Sequence, residues 1–427
     1  MRRIASNRRQ TVFPLIVLFV LIACFPYSSF AADKRGVIIR VRDSAQLQAL
    51  AGRYGLNLKK TVSRDNGGLL VVDEEDSAAL KALLKNEPSV GYVEDNVLIP
   101  LDNGETVLPL DNGETVLPLG ETIMPLDNGE TVLPLDNGET VLPLDNGETV
   151  LPLEQYLKIK AYYDRASKML WPSKLLLIQT PLLKIGLYDA GLKATGKGVI
   201  VADLDTGADS CHPVLAGVFQ LSFVDEANTP ENCPNPSTKH VPGYGHGTAV
   251  GSLIRTVAPE ATLWSLRVFD STGTAQVSDV YEAIIYATDH GAKVINMSFG
   301  ATESSDTMKE AVQYAYDHGV ILVGAAGNNG VEGLMYPAAN SNVKGVVGVN
   351  NKDVKSSFSN YGRAANLSAP SVNIRVAYPG NNLSIASGTS YASPWPPGKP
   401  RSCWMVSAAA CAERRPGGRP ILRSATA

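Results

Sequence analysis

Three things are scarce in this chain of 427 residues: metal-ligand spacing, charge of one sign, and apolar runs of membrane-spanning length. The five cysteines, Cys24, Cys211, Cys233, Cys403 and Cys411, include no C-x-x-C pair, which argues against a structural zinc site. Lys and Arg number 38 against 42 Asp and Glu, a net charge of −4, so no strong positive field exists to draw nucleic acid. The amino-terminal apolar run from Val12 to Phe25 is short of the roughly 20 residues that cross a bilayer as a helix. Histidine is sparse as well, with five residues in all. What is present is 44% hydrophobic content, enough for one large domain or two ordinary ones.

Arg2, Arg3, Arg8 and Arg9, then the apolar run, then the small residues around Ser28 to Ala32 have the order of an export signal, expected over 1–31. Ser29-Phe30-Ala31 suits an ordinary signal peptidase, and Leu21-Ile22-Ala23-Cys24 a bacterial lipobox that would anchor the chain through lipid on Cys24. Either reading takes the mature chain out of the cytoplasm, to a secreted or periplasmic location where disulfides persist. Residues 32–100 alternate short β-rich runs with amphipathic helices near Ser44–Tyr54 and Ser77–Asn86, a small α+β unit. Such a unit is small for independent stability, so it is expected to work with a partner.

Residues 101–152 repeat the nonapeptide Leu-Asp-Asn-Gly-Glu-Thr-Val-Leu-Pro, beginning at Leu101, Leu110, Leu126, Leu135 and Leu144, with a shortened copy from Leu119 to Pro125. Asn-Gly marks a turn, and a proline in each unit excludes a continuous helix or a central strand. The tract reads as an acidic extended linker, with repeat-mediated adhesion as the alternative, followed by a junction over 153–178. From Gln179 the texture changes. Nearly continuous apolar strands, such as Val199 to Ala202 and Val320 to Val323, alternate with helices near Val277–His290 and Thr307–His318. This predicts an α/β domain over 179–394 whose parallel sheet is covered on both faces, with ligands beyond the carboxyl ends of the strands.

Three motifs sit at those ends. Ser387-Gly388-Thr389-Ser390-Tyr391-Ala392-Ser393-Pro394 exposes a hydroxyl among small neighbours at a loop-to-helix junction, though a helix cap would look the same. Asp205-Thr206-Gly207 alone is the triplet of aspartic proteases, which need a second such triplet that the chain lacks. Gly245-His246-Gly247 places a histidine between glycines at the head of a helix, where open space suits an imidazole that exchanges protons. The order Asp205, His246, Ser390 is that of subtilisin.

These three stretches, with Gly324-Ala325-Ala326-Gly327-Asn328-Asn329-Gly330, resemble the signatures of subtilisin-like serine proteases, and residues 32–100 resemble the family's inhibitory propeptide. The resemblance implies a subtilisin-like α/β fold preceded by a ferredoxin-like propeptide acting as intramolecular inhibitor, and protein or peptide substrates. It assigns Ser390 as nucleophile, His246 as general base and acid, Asp205 as the group orienting the imidazole, and Asn328 as oxyanion donor. By the same resemblance Ser298, Phe299, Gly300 and Gly327 line the peptide-binding cleft, with core packing as the alternative for Phe299. No cofactor is implied. Valine at 214, where many relatives carry a calcium-ligating aspartate, argues against that metal site.

Cys211 and Cys233 are expected either to pair or to stay as thiols. After Pro394 the family pattern of a long buried helix breaks, because Pro396, Pro397 and Pro400 stop it. Residues 395–427 then read as an aberrant tail, frameshifted or divergent. The expected product is an exported serine endopeptidase, the alternative a catalytically dead truncated protein that keeps the motifs.

Overall fold

The structure is a computed structural model that describes residues 34–64, 67–73, 77–101, 105–109, 139–144, 147–152, 179–187, 195–224 and 243–395, with Ala161 and Leu176. The expected export signal with Cys24, most of the 153–178 junction, Cys233 and the tail beyond Trp395 lie outside these residues. Among the described residues, no helix is long and apolar enough to cross a membrane.

The amino-terminal unit runs β1 (Lys34–Val41), α1 (Leu47–Tyr54), β2 (Leu58–Arg64), β3 (Gly67–Val72), α2 (Ser77–Leu84) and β4 (Val90–Pro100). Its strands pair antiparallel in the order β4-β1-β3-β2, the ferredoxin-like arrangement. Strand alternation gives this sheet two apolar faces. Val37, Ile39, Val41, Leu70 and Val72 pack under α1 and α2, while Ile38, Val62, Leu69 and Ile99 join the core of the larger domain. The second face would be wet in isolation, which is why so small a unit docks.

The larger domain contains α3 (Thr180–Lys184), β8 (Ile200–Asp205), β9 (Phe219–Ser222), α4 (His246–Val257), β10 (Thr262–Arg267), β11 (Thr274–Gln276), α5 (Val277–Asp289), β12 (Val294–Met297), α6 (Asp306–Asp317), β13 (Ile321–Ala325), β14 (Val343–Val349), β15 (Ala365–Pro370), β16 (Ile374–Tyr378) and β17 (Asn382–Ser387). Seven of these strands form a parallel sheet ordered β15-β14-β13-β12-β8-β10-β9. Val201, Leu263, Val294, Val323 and Val346 pack on the face that carries α4, and Ala202, Leu204, Leu266, Ile295 and Leu322 on the face of α5 and α6. Helices cover both faces, as the apolar strands predict.

Charge fixes the docking of the two parts. Lys60 Nζ contacts Asp279 at 2.9 Å and Glu282 at 2.6 Å, and Arg40 Nε bonds Glu310 at 2.8 Å. The Glu94 carboxylate accepts from the backbone N–H groups of Asp306 and Thr307 and from the Ser305 hydroxyl, so it caps α6 from the other unit.

The repeat tract contributes strands. Following β4, residues Thr106–Pro109 form β5, which pairs antiparallel with β17, and β6 (Glu139–Leu144) and β7 (Gly147–Pro152) pair with each other. Each is an edge strand, the position proline tolerates. The segment after β17 is a single 3₁₀ turn, Thr389–Tyr391, and the last described residue, Trp395, is buried in the core beside α4.

Candidate active site

Asp205 ends β8, Ser298 follows β12, Asn328 follows β13, His246 opens α4, and Ser390 lies in the 3₁₀ turn after β17. The parallel sheet therefore gathers them at its carboxyl edge. His246 Nδ1 lies 2.8 Å from each Asp205 oxygen. Asp205 Oδ1 also accepts from Thr206 N at 2.6 Å, and Thr206 Oγ1 accepts from Gly247 N at 3.1 Å, tying the head of α4 to the β8 turn.

The glycines flanking His246 serve close approach rather than open space. A Cβ on Gly247 would sit 2.2 Å from the Gly207 carbonyl oxygen, and Gly245 has φ of 80° with the Tyr378 ring 2.6 Å from where its Cβ would be. His246 is itself only 5% exposed. Without these glycines the helix could not bring the imidazole to Asp205.

Glu105, from the first nonapeptide, reaches the other side of the ring. Its Oε2 lies 3.1 Å from His246 Nε2, outside hydrogen-bond alignment, so the attraction is one of charge. Burial works against a charged imidazole here, but the Asp205 and Glu105 carboxylates outweigh it and hold the His246 pKa well above its ordinary value.

Ser390 is 1% exposed, and its hydroxyl donates to the Ser298 carbonyl at 2.8 Å. Asn328 is oriented by its neighbour in the nucleophile turn. Its Oδ1 accepts from Thr389 N at 2.8 Å and from Thr389 Oγ1 at 2.9 Å, which turns Nδ2 toward Glu105 Oε1 at 3.4 Å. Gly327 N donates back to Thr389 Oγ1 at 3.1 Å. Beneath the turn runs a buried polar chain. Asn296 Nδ2 donates to Asp203 Oδ1 at 2.9 Å and to Ser298 Oγ at 2.8 Å, and Ser298 Oγ contacts Ser393 Oγ at 2.8 Å and the Ser390 carbonyl at 3.2 Å. Burial, then the nearby Asp205 charge, raise the Asp203 pKa well above the carboxylate range.

The residues expected to line the cleft divide. Ser298 and Gly327 bond to the nucleophile turn and Gly300 lies against Met335, whereas Phe299 is 1% exposed and packs edge-on against Phe269, the core-packing alternative. Glu105, Thr389, Met335 and Tyr391 are at the site without being singled out in the sequence reading. Tyr391 lies beside the His246 ring, with centroids 5.8 Å apart. For Thr389 the signal was adjacency to Ser390. For Glu105 there was none, because every unit of the tract carries the same glutamate. Cys211 is disulfide-bonded, with its partner outside the described residues. Among the described residues no hydrogen bond joins Asp205 to a second aspartate, and both its oxygens face His246, which leaves the aspartic-protease alternative unsupported.

Comparison with known proteins identifies the family. A family model described as the subtilase family matches residues 196–396. Thermitase of Thermoactinomyces vulgaris is 38% identical over 213 residues, covering 47% of this chain and 73% of that protein. Subtilisin Savinase of Lederbergia lenta is 36% identical over 209 residues, covering 47% of this chain and 74% of that protein. A thermostable alkaline protease of Halalkalibacterium halodurans is 38% identical over 208 residues, covering 55% of its own length. On the fold, the clustering at the sheet's carboxyl edge and these matches, the chain belongs to the subtilase family of serine-type endopeptidases.

Proposed function

We propose that this chain is the precursor of an exported endopeptidase that hydrolyses peptide bonds in proteins through Ser390, His246 and Asp205. Ser390 Oγ attacks the substrate carbonyl while its proton passes to His246 Nε2. The imidazolium returns that proton to the departing amine, which leaves an ester between Ser390 and the acyl half of the substrate, and water then cleaves the ester by the same route in reverse. Asp205 fixes the ring with Nε2 facing the cleft and stabilises its positive charge. Asn328 Nδ2, with the Ser390 backbone N–H, would donate to the tetrahedral oxyanion.

The observation that carries this reading is the His246 ring, held at Nδ1 by both Asp205 oxygens at 2.8 Å and turned at Nε2 toward a carboxylate that lies beside Asn328. Residues 32–100 are read as the inhibitory propeptide. Their support is the ferredoxin-like unit docked on α5 and α6 and the continuation of β4 into the cleft. Residues 1–31 remain the proposed export signal and 179–394 the peptidase domain.

A fluorophosphonate probe tests the assignment. Labelling of the wild-type chain that disappears in Ser390→Ala is the expected result, and no labelling of a correctly folded chain, either intact or with its tract cut, would support the catalytically dead alternative. Self-cleavage provides a second readout. The wild-type chain is expected to cut itself between Asn96 and Gln179, and a Ser390→Ala chain still cut in a protease-free host would contradict the proposal.

A further inference from the structure

The connection between the two folded parts passes through the cleft. It enters as an added strand, with Leu98 to Pro100 paired to Gln276 to Thr274 and Leu101 N donating to Gly273 O at 2.9 Å. Leu101 is buried against Gly243, where a Cβ would come within 2.5 Å of Leu101 Cδ2. It leaves as a second added strand, with Thr106 to Pro109 paired to Ser387 to Ser384. Glu105 stands between, at the nucleophile turn, and a Cβ on Gly388 would be 2.8 Å from its Cγ.

Beside Glu105 the crevice between the ends of β12 and β13 is closed. Met335 fills it: a Cβ on Gly300 would lie 2.5 Å from Met335 Cβ, and one on Gly327 would lie 2.6 Å from Met335 Sδ. The residue before Glu105 in the sequence is a glycine, and the pair Gly-Glu recurs in all six units, with glutamates at Glu105, Glu114, Glu121, Glu130, Glu139 and Glu148.

We infer that the cleft recognises the nonapeptide itself, its glutamate between His246 and Asn328 and its Thr-Val-Leu-Pro stretch along β17, and that its copies exchange there as a tandem intramolecular inhibitor. The inference rests on the proposed peptide-cleaving site, whose cleft it supplies with a ligand. The five full copies offer identical contacts. Sliding the chain by one unit leaves a nine-residue loop, and loop-closure entropy grows only slowly with length. A copy released by cleavage is replaced by a tethered neighbour at high effective concentration.

The test reads binding rather than catalysis, so it succeeds or fails independently of the probe experiment above. A fluorescent Leu-Asp-Asn-Gly-Glu-Thr-Val-Leu-Pro peptide is titrated by anisotropy against full-length Ser390→Ala chains. With Glu105→Arg alone, a second copy fills the cleft and little free peptide binds. With all six glutamates changed to arginine the peptide binds, and the same peptide carrying glutamine for glutamate binds at least tenfold more weakly. A circular-dichroism spectrum and a cooperative melt like those of the parent Ser390→Ala chain show that the six-site variant is folded. Failure of the native peptide to bind the six-site variant, equal binding of the glutamine peptide, or equal binding to the one-site and six-site variants would each overturn the inference.

Discussion

Ser390 Oγ gives its one hydrogen to the Ser298 carbonyl at 2.8 Å. A hydroxyl has a single proton, so this bond withholds it from His246, whose Nε2 meanwhile faces Glu105. Nucleophile and base are both engaged elsewhere while the first nonapeptide lies in the cleft. The intact chain is therefore expected to react with a fluorophosphonate at least tenfold more slowly than a chain whose tract has been cut away. Stopped-time labelling of freshly purified intact and processed protein measures the two rates, and equal rates would show that the first copy does not restrain Ser390.

Thr389 holds Asn328 by two bonds, from its N–H and from its hydroxyl. Thr389→Val keeps the shape and the N–H bond but removes the hydroxyl's bonds to Asn328 Oδ1 and from Gly327 N, so Nδ2 should wander from its aim. A loss of about fivefold in kcat with KM little changed is expected, in keeping with the roughly 1 kcal/mol that a typical hydrogen bond contributes. Asn328→Ala should cost about 10²–10³ in kcat, a magnitude taken over from subtilisin, itself a member of this family. A Thr389→Val enzyme as fast as the wild type would mean that Asn328 is positioned without it.

The four family stretches were legible because each is a local pattern of glycine and small residues around one polar side chain, and the parallel sheet was legible from its apolar strands. What escaped the sequence depends on pairing between distant segments. Glu105 reaches His246 only because β4 and β5 add to β11 and β17, and nothing distinguishes it from five other glutamates. Met335 reads as an ordinary apolar residue until two glycines are found against it. Asp203 did leave a signal. It is an aspartate inside an apolar strand, two residues before Asp205 and so on the same face.

That aspartate gives a stability prediction. Asp203 is fully buried, with one oxygen bonded to Asn296, and its folded pKa is raised above the unfolded value of about 3.9. The folded state then holds the proton more tightly than the unfolded state. This contribution is intact below about pH 4 and is lost as pH rises through the folded value. Asp203→Asn keeps a neutral group of similar shape, so its melting temperature should exceed that of the wild type near pH 8 and converge with it near pH 4. Measurements in the Ser390→Ala background avoid self-digestion, and a variant less stable at pH 8 would show that the carboxyl group itself is needed.

His246 has a dependence of the same sign, carried by a cation instead of a neutral acid. Burial disfavours its charge, but Asp205 at Nδ1 and Glu105 at Nε2 raise the folded pKa above the unfolded value of about 6.5, with Asp203 and Tyr391 the other titratable groups close to the ring. The stability contributed by these carboxylates is fully present below about pH 6.5 and fades as pH climbs through the folded value. Changing all six tract glutamates to glutamine removes one of the two anions whichever unit lies in the cleft. In Ser390→Ala chains, the gap in melting temperature between the parent and the six-glutamine chain should be widest near pH 6 and should close as the imidazole loses its proton. In the same pair of chains the imidazole resonances should titrate at lower pH in the six-glutamine chain. A gap that stays constant with pH, or one that widens toward alkaline pH, would show that Glu105 does not act on His246 through charge.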